Sequence, residues 1–294
     1  MRLCNSSIPA TLLATSLLLS GCSIGQIVAR GAAPLIDHGV TAMNRETDLE
    51  LARASIPANI KMIEALLLAD PDNVTYRIQA AMAFYGYAMA FVEDSDPARA
   101  AKLYRRAHEH AEVALAAAGI APNTLKGSSA AALDLALAKL DARAVPALFW
   151  TASAWAKWIE LQLDDPARLA ELPRAEALMR RVLALDETYY HGGVHMFFGV
   201  YYGGRAPMFG GDFTRSAQHF DRAAQISQNR MLWVDVYRAQ YLLRQMSDRA
   251  AFHTTLSRVL AAPDSSNVEP DLNFANALAR QKAAALLTQE EDLF

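Results

Sequence analysis

Cysteine is nearly missing from this chain. Its 294 residues include only Cys4 and Cys22. Everything after residue 22 therefore has neither a disulfide nor a free thiol, which excludes a disulfide scaffold and cysteine catalysis there. Stability must come from packing. Glycine and proline are also few, 14 and 12, while alanine is abundant, a balance that favours helices. There is no basic stripe and no arginine-rich arm, so nothing points to nucleic acid. No Gly-x-Ser-x-Gly elbow, no phosphate-binding loop and no pair of carboxylates placed as acid and base is present. No residue pattern demands chemistry. The expectation is a protein that is not an enzyme, with no cofactor and no metal.

What is present starts with an address. Arg2 is followed by an apolar run, Ile8 to Leu19, too short to span a bilayer. It ends at Leu19-Ser20-Gly21-Cys22. A charged start, a short apolar run and small residues make a secretory signal. The Leu-Ser-Gly-Cys ending resembles a bacterial lipobox, which implies cleavage before Cys22 and acylation of that cysteine. Ser23 follows where an Asp would retain the protein at the inner membrane, which favours the periplasmic face of the outer membrane. Removing residues 1–21 takes away Arg2 and no acid, leaving 27 basic against 31 acidic residues, a net charge of −4. The expected organisation is a signal peptide, residues 1–21, a lipid-anchored tether, residues 22–45, and an all-α domain, residues 46–294. Within residues 22–45 a short helix is the other reading. With 53% hydrophobic residues the chain can bury a large core.

The stretch from His191 to Ser227 organises the remainder. Val194, Phe197, Phe198, Tyr201 and Tyr202 recur at helical spacing. The pattern breaks at Gly203-Gly204, Pro207 and Gly210-Gly211. Asp212 then stands where an N-cap is needed. In the helix it opens, Ser216, Phe220 and Ala223 are spaced four and three, a small–large–small face that lets a partner helix come close. The same spacing recurs at Ala100, Tyr104, Ala107, at Ala175, Met179, Val182 and at Phe252, Leu256, Val259. The steps between the last members are 75, 41 and 36 residues. They fit units of roughly 37, near the tetratricopeptide period. The predicted fold is all-α, with degenerate tetratricopeptide-type hairpins stacked in a solenoid. A Trp-rich helix, Ala147 to Leu163, follows an insertion at Gly119 to Val145.

Other boundaries follow from punctuation. Pro57 is expected in the first turn of a helix through Leu67. Asp96 caps a helix with Pro97 at its first position. Gly127-Ser128-Ser129 opens a short Ala/Leu-rich helix. Helices are expected over Leu232 to Met246, Ser247 to Ala262 and Asn273 to Thr288. Glu290-Glu291-Asp292 reads as a solvated end.

The aromatic set Trp150, Trp155, Trp158, Phe197, Phe198, Tyr201 and Tyr202 is the best candidate for a ligand or partner groove. Core packing between hairpins is the plainer reading for any one of them. Trp155 and Trp158, three apart, share a helix face; Trp150 and Trp155 do not. His191 and His195 have metal-ligand spacing, but two ligands fall short of a site. His108-Glu109-His110 diverges around a helix. Gly203, Gly204, Gly210 and Gly211 are expected to turn the chain at positive φ, with Gly210, Gly211 and Asp212 as a structural loop.

Four stretches together resemble the T-component family of TRAP transporter systems, the TatT-type lipoproteins. They are VPALFWTASAWAKWI (Val145 to Ile159), LPRAEALMRRVLALD (Leu172 to Asp186), FGGDFTRSAQHFDRAAQIS (Phe209 to Ser227) and LNFANALARQKAAALL (Leu272 to Leu287). The resemblance implies an array of degenerate hairpins and a homotrimer. It also implies a periplasmic solute-binding P-component as partner and a cleft suited to an apolar organic solute. The competing reading is a tetratricopeptide-type adaptor for envelope protein assembly or secretion, with no small ligand.

Overall fold

The computed structural model describes residues 24–263 and 268–294. Cys22, Ser23 and the expected signal peptide lie outside the described residues. The chain begins with α1 (Ile24–Gly31), α2 (Ala33–Asn44), α3 (Leu49–Ala69), α4 (Val74–Phe91) and α5 (Pro97–Ala117). The insertion holds α6 (Pro122–Gly127) and α7 (Ala130–Leu137). Then come α8 (Val145–Glu160), α9 (Pro166–Leu169), α10 (Leu172–Leu185), α11 (Tyr189–Gly203) and α12 (Phe213–Ile226). α13 (Trp233–Tyr237), α14 (Arg249–Ala261), α15 (Asn273–Thr288) and α16 (Glu290–Leu293) complete an all-α fold. No strand forms among the described residues.

Acidic and amide caps set many of the starts. The carboxylates of Asp48, Asp96, Asp212 and Asp248 and the amide oxygen of Asn73 each accept from backbone N–H groups two or three residues on. The four small–large–small sets are the inner seam of the packing: all twelve side chains are 0% exposed. Through them α5 packs on α4 and α8, α10 on α8, and α12 on α11. The last long helix returns to the first ones. α15 packs on α2 and α3, Arg45 pairs with Asp271 at 2.6 Å, and Lys282 pairs with Asp94 at 2.6 Å. The array thus closes on itself.

Three local expectations are corrected and one alternative is decided. Pro57 lies inside α3, not in its first turn. One buried stripe, Ala52, Ile56, Ile60, Ile63 and Leu67, runs across it, and that burial outweighs the lost backbone hydrogen bond. Of the two readings for residues 22–45, the structure has the helical one over residues 24–44. Ala29 and Ile36 of α1 and α2 are buried with Ile63, Leu67, Tyr76 and Ala80. The helix expected over Leu232 to Met246 changes pitch. After α13 it widens into a π-helical segment, Arg238–Leu243, where Arg244 N–H reaches back five residues to the Ala239 carbonyl. Glu290 is buried, not solvated, because Arg249 and His253 both bond its carboxylate, each at 2.7 Å.

Candidate ligand-binding cavity

The helices leave a void between them. A cavity of about 370 Å³ opens among them. α4 contributes Tyr85, Gly86 and Met89; α8 contributes Trp150, Ser153 and Lys157; α11 contributes Tyr190, Phe197 and Tyr201. Trp233, Tyr237 and Tyr241 come from α13 and the π segment, and Phe274 from α15. A second cavity of about 160 Å³ adjoins it and shares Met82, Gly86, Tyr190 and Phe274. Leu35, Gly39 and Met43 of α2 roof the second cavity.

Tyr190 owes its place to an unusual turn. α11 opens with Tyr190, His191 and Gly192 at φ of 51°, 57° and 79°. For the two non-glycine residues this costs about 1–3 kcal/mol each. Gly192 suits the site twice over: its φ is positive, and a Cβ there would lie 3.3 Å from Ile226. The turn lays the Tyr190 ring edge-on against Trp150, centroids 5.0 Å apart, in the wall between the cavities.

One end of the larger cavity is polar. Lys157 Nζ donates to Glu93 Oε1 at 2.6 Å and to Glu160 Oε2 at 2.9 Å. The Tyr241 hydroxyl donates to Glu160 Oε1 at 2.8 Å, and the Tyr104 hydroxyl donates to Glu93. Burial alone would lower the Lys157 pKa, but facing Tyr241, Glu160, Tyr104 and Glu93 raises it well above the ordinary value. The ammonium is therefore held charged. Burial pushes the Tyr237 and Tyr241 hydroxyls up, so both stay protonated. Tyr237 and Tyr241, four apart, stand together on the cavity side, rings 5.7 Å apart. By contrast, the hydroxyls of Ser153 and Tyr85 have no hydrogen-bond partner among the described residues, although Ser153 is only 8% exposed.

The expected aromatic set divides. Trp150, Phe197 and Tyr201 line the cavity. Trp155, Trp158, Phe198 and Tyr202 lie outside it. Trp155 is sealed, its ring 4.8 Å from His108 and its indole N–H on Glu171 at 2.9 Å. Trp158 shares that face, 6.1 Å from His108, under the Arg168 guanidinium. Phe198 and Tyr202 stack on His219 at 5.1 and 5.9 Å. Sequence reasoning missed Tyr85, Ser153, Lys157, Tyr190, Tyr237 and Tyr241. For Lys157 a signal existed: a lysine three residues before Glu160 in an otherwise apolar helix.

His191 and His195 do not share a face, because the left-handed turn separates them. His195 instead meets His219, Nδ1 to Nδ1 at 2.9 Å, and Glu187 at 3.0 Å. Burial lowers the pKa of both rings, that of His219 to about 4 with His195 contributing. One nitrogen of the facing pair therefore carries a proton and the other accepts it. Among the described residues no three metal-ligating side chains converge.

Of the four glycines expected at positive φ, only Gly210 has it, at 85°. Gly203 and Gly211 serve close approach: a Cβ would fall 2.5 Å from Ser216 Oγ and 1.9 Å from the Arg205 carbonyl oxygen, respectively. Asp212 caps α12 through the Arg215 N–H at 2.9 Å, and its own N–H donates to the Tyr202 carbonyl at 2.9 Å. The loop so pinned sets Arg205 at the cavity wall. There its guanidinium donates twice to the Tyr201 carbonyl, at 3.0 and 2.8 Å, and lies 4.0 Å over the Tyr201 ring.

No helix among the described residues is long and apolar enough to cross a membrane. The chain is 24% identical to an uncharacterized protein of Treponema pallidum (strain Nichols), over 96% of this chain and 95% of that one. Residues 45–294 match the family model described as TRAP transporter T-component. That match spans the four buried seams and every helix that walls the cavity, and the chain belongs to the TRAP transporter T-component family.

Proposed function

We propose that the protein is a lipid-anchored accessory component of a TRAP-type uptake system. It faces the periplasm from the outer membrane and is held there by acyl chains on Cys22. It assembles as a homotrimer, engages the periplasmic solute-binding P-component, and holds a mainly apolar organic solute. The observation that carries this reading is the cavity: an aromatic-walled space with a second chamber beside it. A dry apolar void forfeits dispersion contacts that a better-filled core would keep. Keeping one is a cost that ligand binding accounts for.

The test is gentle purification of the full-length protein from its host membranes. A complex with a solute-binding protein, and sedimentation as a trimer, is the expected result. A monomer carrying fragments of envelope proteins would support the adaptor reading instead. Changing Cys22→Ala should move the protein out of the membrane fraction. Unchanged fractionation would remove the anchor from the proposal.

A further inference from the structure

We infer that the ligand of the larger cavity carries an uncharged hydrogen-bonding group, a hydroxyl or a carbonyl, on its apolar body, and that an aliphatic carboxylate is discriminated against. The inference rests on the reading of this cavity as a ligand site.

The charges at the polar end are already committed. Lys157 faces two carboxylates, Glu93 at 2.6 Å and Glu160 at 2.9 Å. A ligand carboxylate beside that ammonium would be a third anion around one cation, with Glu160 itself in the cavity wall. Water cannot screen that repulsion well in a space lined mainly by carbon. Arg205 offers only part of its fork. Its Nε and Nη2 both donate to the Tyr201 carbonyl, so its side-on edge is occupied and only the end-on Nη1–Nη2 edge is left. A ligand ammonium would meet Lys157 and Arg205, with Glu93 and Glu160 already paired to Lys157.

The Trp233 indole N–H is without a partner among the described residues but sealed, and the uncommitted groups that open on the space are two hydroxyls. Ser153 stands one helical turn before Lys157 on the same face of α8. Its Oγ neither donates nor accepts among the described residues, although Thr151 on the same helix bonds back to the Ala147 carbonyl at 2.7 Å. Tyr85 stands across on α4, its ring 5.5 Å from that of Trp150 and its hydroxyl equally unpartnered. Burial pushes the Tyr85 hydroxyl well above its ordinary pKa, so it is present as a donor. Both residues line the cavity and neither hydroxyl has a protein partner among the described residues, so both are open to a ligand. A ligand carbonyl can accept from both. A ligand hydroxyl can accept from one and donate to the other.

The experiment uses the full-length protein in phosphatidylcholine nanodiscs and four probes at pH 7: 1-decanol, 2-decanone, decanoate and decylammonium. Nanodiscs carrying the Gly86→Leu variant, whose new side chain occupies the cavity, supply the partition background. Above that background, decanol and decanone should bind at least tenfold more tightly than decanoate or decylammonium. The double variant Ser153→Ala, Tyr85→Phe should lose at least fivefold for decanol while its melting temperature stays within a few degrees. These changes remove no hydrogen bond of the free protein, so misfolding does not confound them. Tighter binding of decanoate, or undiminished preference in the double variant, overturns the inference and leaves the cavity a ligand site. No probe binding above background overturns both.

Discussion

Gly86 and Gly199 both sit inside long helices, yet their surroundings are opposite. A Cβ on Gly199 would lie 2.6 Å from the Phe220 ring, which is fully buried. A Cβ on Gly86 would meet nothing within 4 Å, and Gly86 lines both cavities. The first glycine lets α11 and α12 touch; the second leaves a space unfilled. The same division runs through α8, where Trp155 is sealed under His108 and Trp150 faces the void. α8 thus has a packed face that holds it in the array and an open face that borders the cavity.

The largest effect that would sharpen this division is at Trp155. Trp155→Ala should cost about 3–5 kcal/mol, because it empties a filled site and frees the Glu171 carboxylate. Trp150→Ala should cost less by at least about 1 kcal/mol, since that ring borders the cavity while Trp155 does not. Urea denaturation of the two variants compares them directly, and equal losses would break the distinction. Next in size, Gly199→Ala should destabilise by about 1–3 kcal/mol, the usual range for overpacking. Its helix-propensity gain offsets only part of that.

The two faces should also fail at opposite ends of the pH scale. On the packed side, burial lowers His108 and His219 to about 4 from an ordinary 6.5. The unfolded chain therefore takes up protons first on acidification. The stability these rings contribute is complete above pH 6.5 and declines as pH falls toward 4. On the cavity side, Lys157 is raised above 10.5 and Tyr241 above 10, so their contribution is complete at neutral pH and declines above pH 10. Urea midpoints at pH 7, 5 and 10.5 measure both. A midpoint unchanged from pH 7 to 5 would contradict the acid limb.

How much of this was legible depended on whether a residue's job was local. The packed seams were, because a small–large–small set at four and three places one stripe on one helix face wherever the helix sits. The acidic caps were, because a cap acts within three residues. The cavity was only partly legible. Trp150 and Trp155 are the same residue type on one helix, and which of them faces a void depends on where α4, α11 and α15 come to rest. Tyr190 was hidden because Tyr and His rarely adopt φ near +55°, so nothing local announces that turn. The π segment was hidden likewise: one wider turn leaves the apolar pattern of Leu232 to Met246 nearly intact. The Lys157 site needed Glu93, which is 64 residues away in sequence.

The smallest expected change carries the clearest sign. Gly86→Ala should raise stability by about 0.5–1 kcal/mol, since a mid-helix glycine gives way to alanine where there is room for the methyl. A rise in melting temperature without loss of fold would mark the glycine as kept for the space it leaves. A fall would place Gly86 with Gly199 and dissolve the comparison.

The most direct measurement is native mass spectrometry of the full-length protein, released gently from its host membranes, beside its Gly86→Leu variant. The wild type should carry an organic adduct, and the variant, folded and equally stable, should arrive without it. A bare wild type, or the same adduct at the same occupancy on both, would contradict a solute-holding cavity.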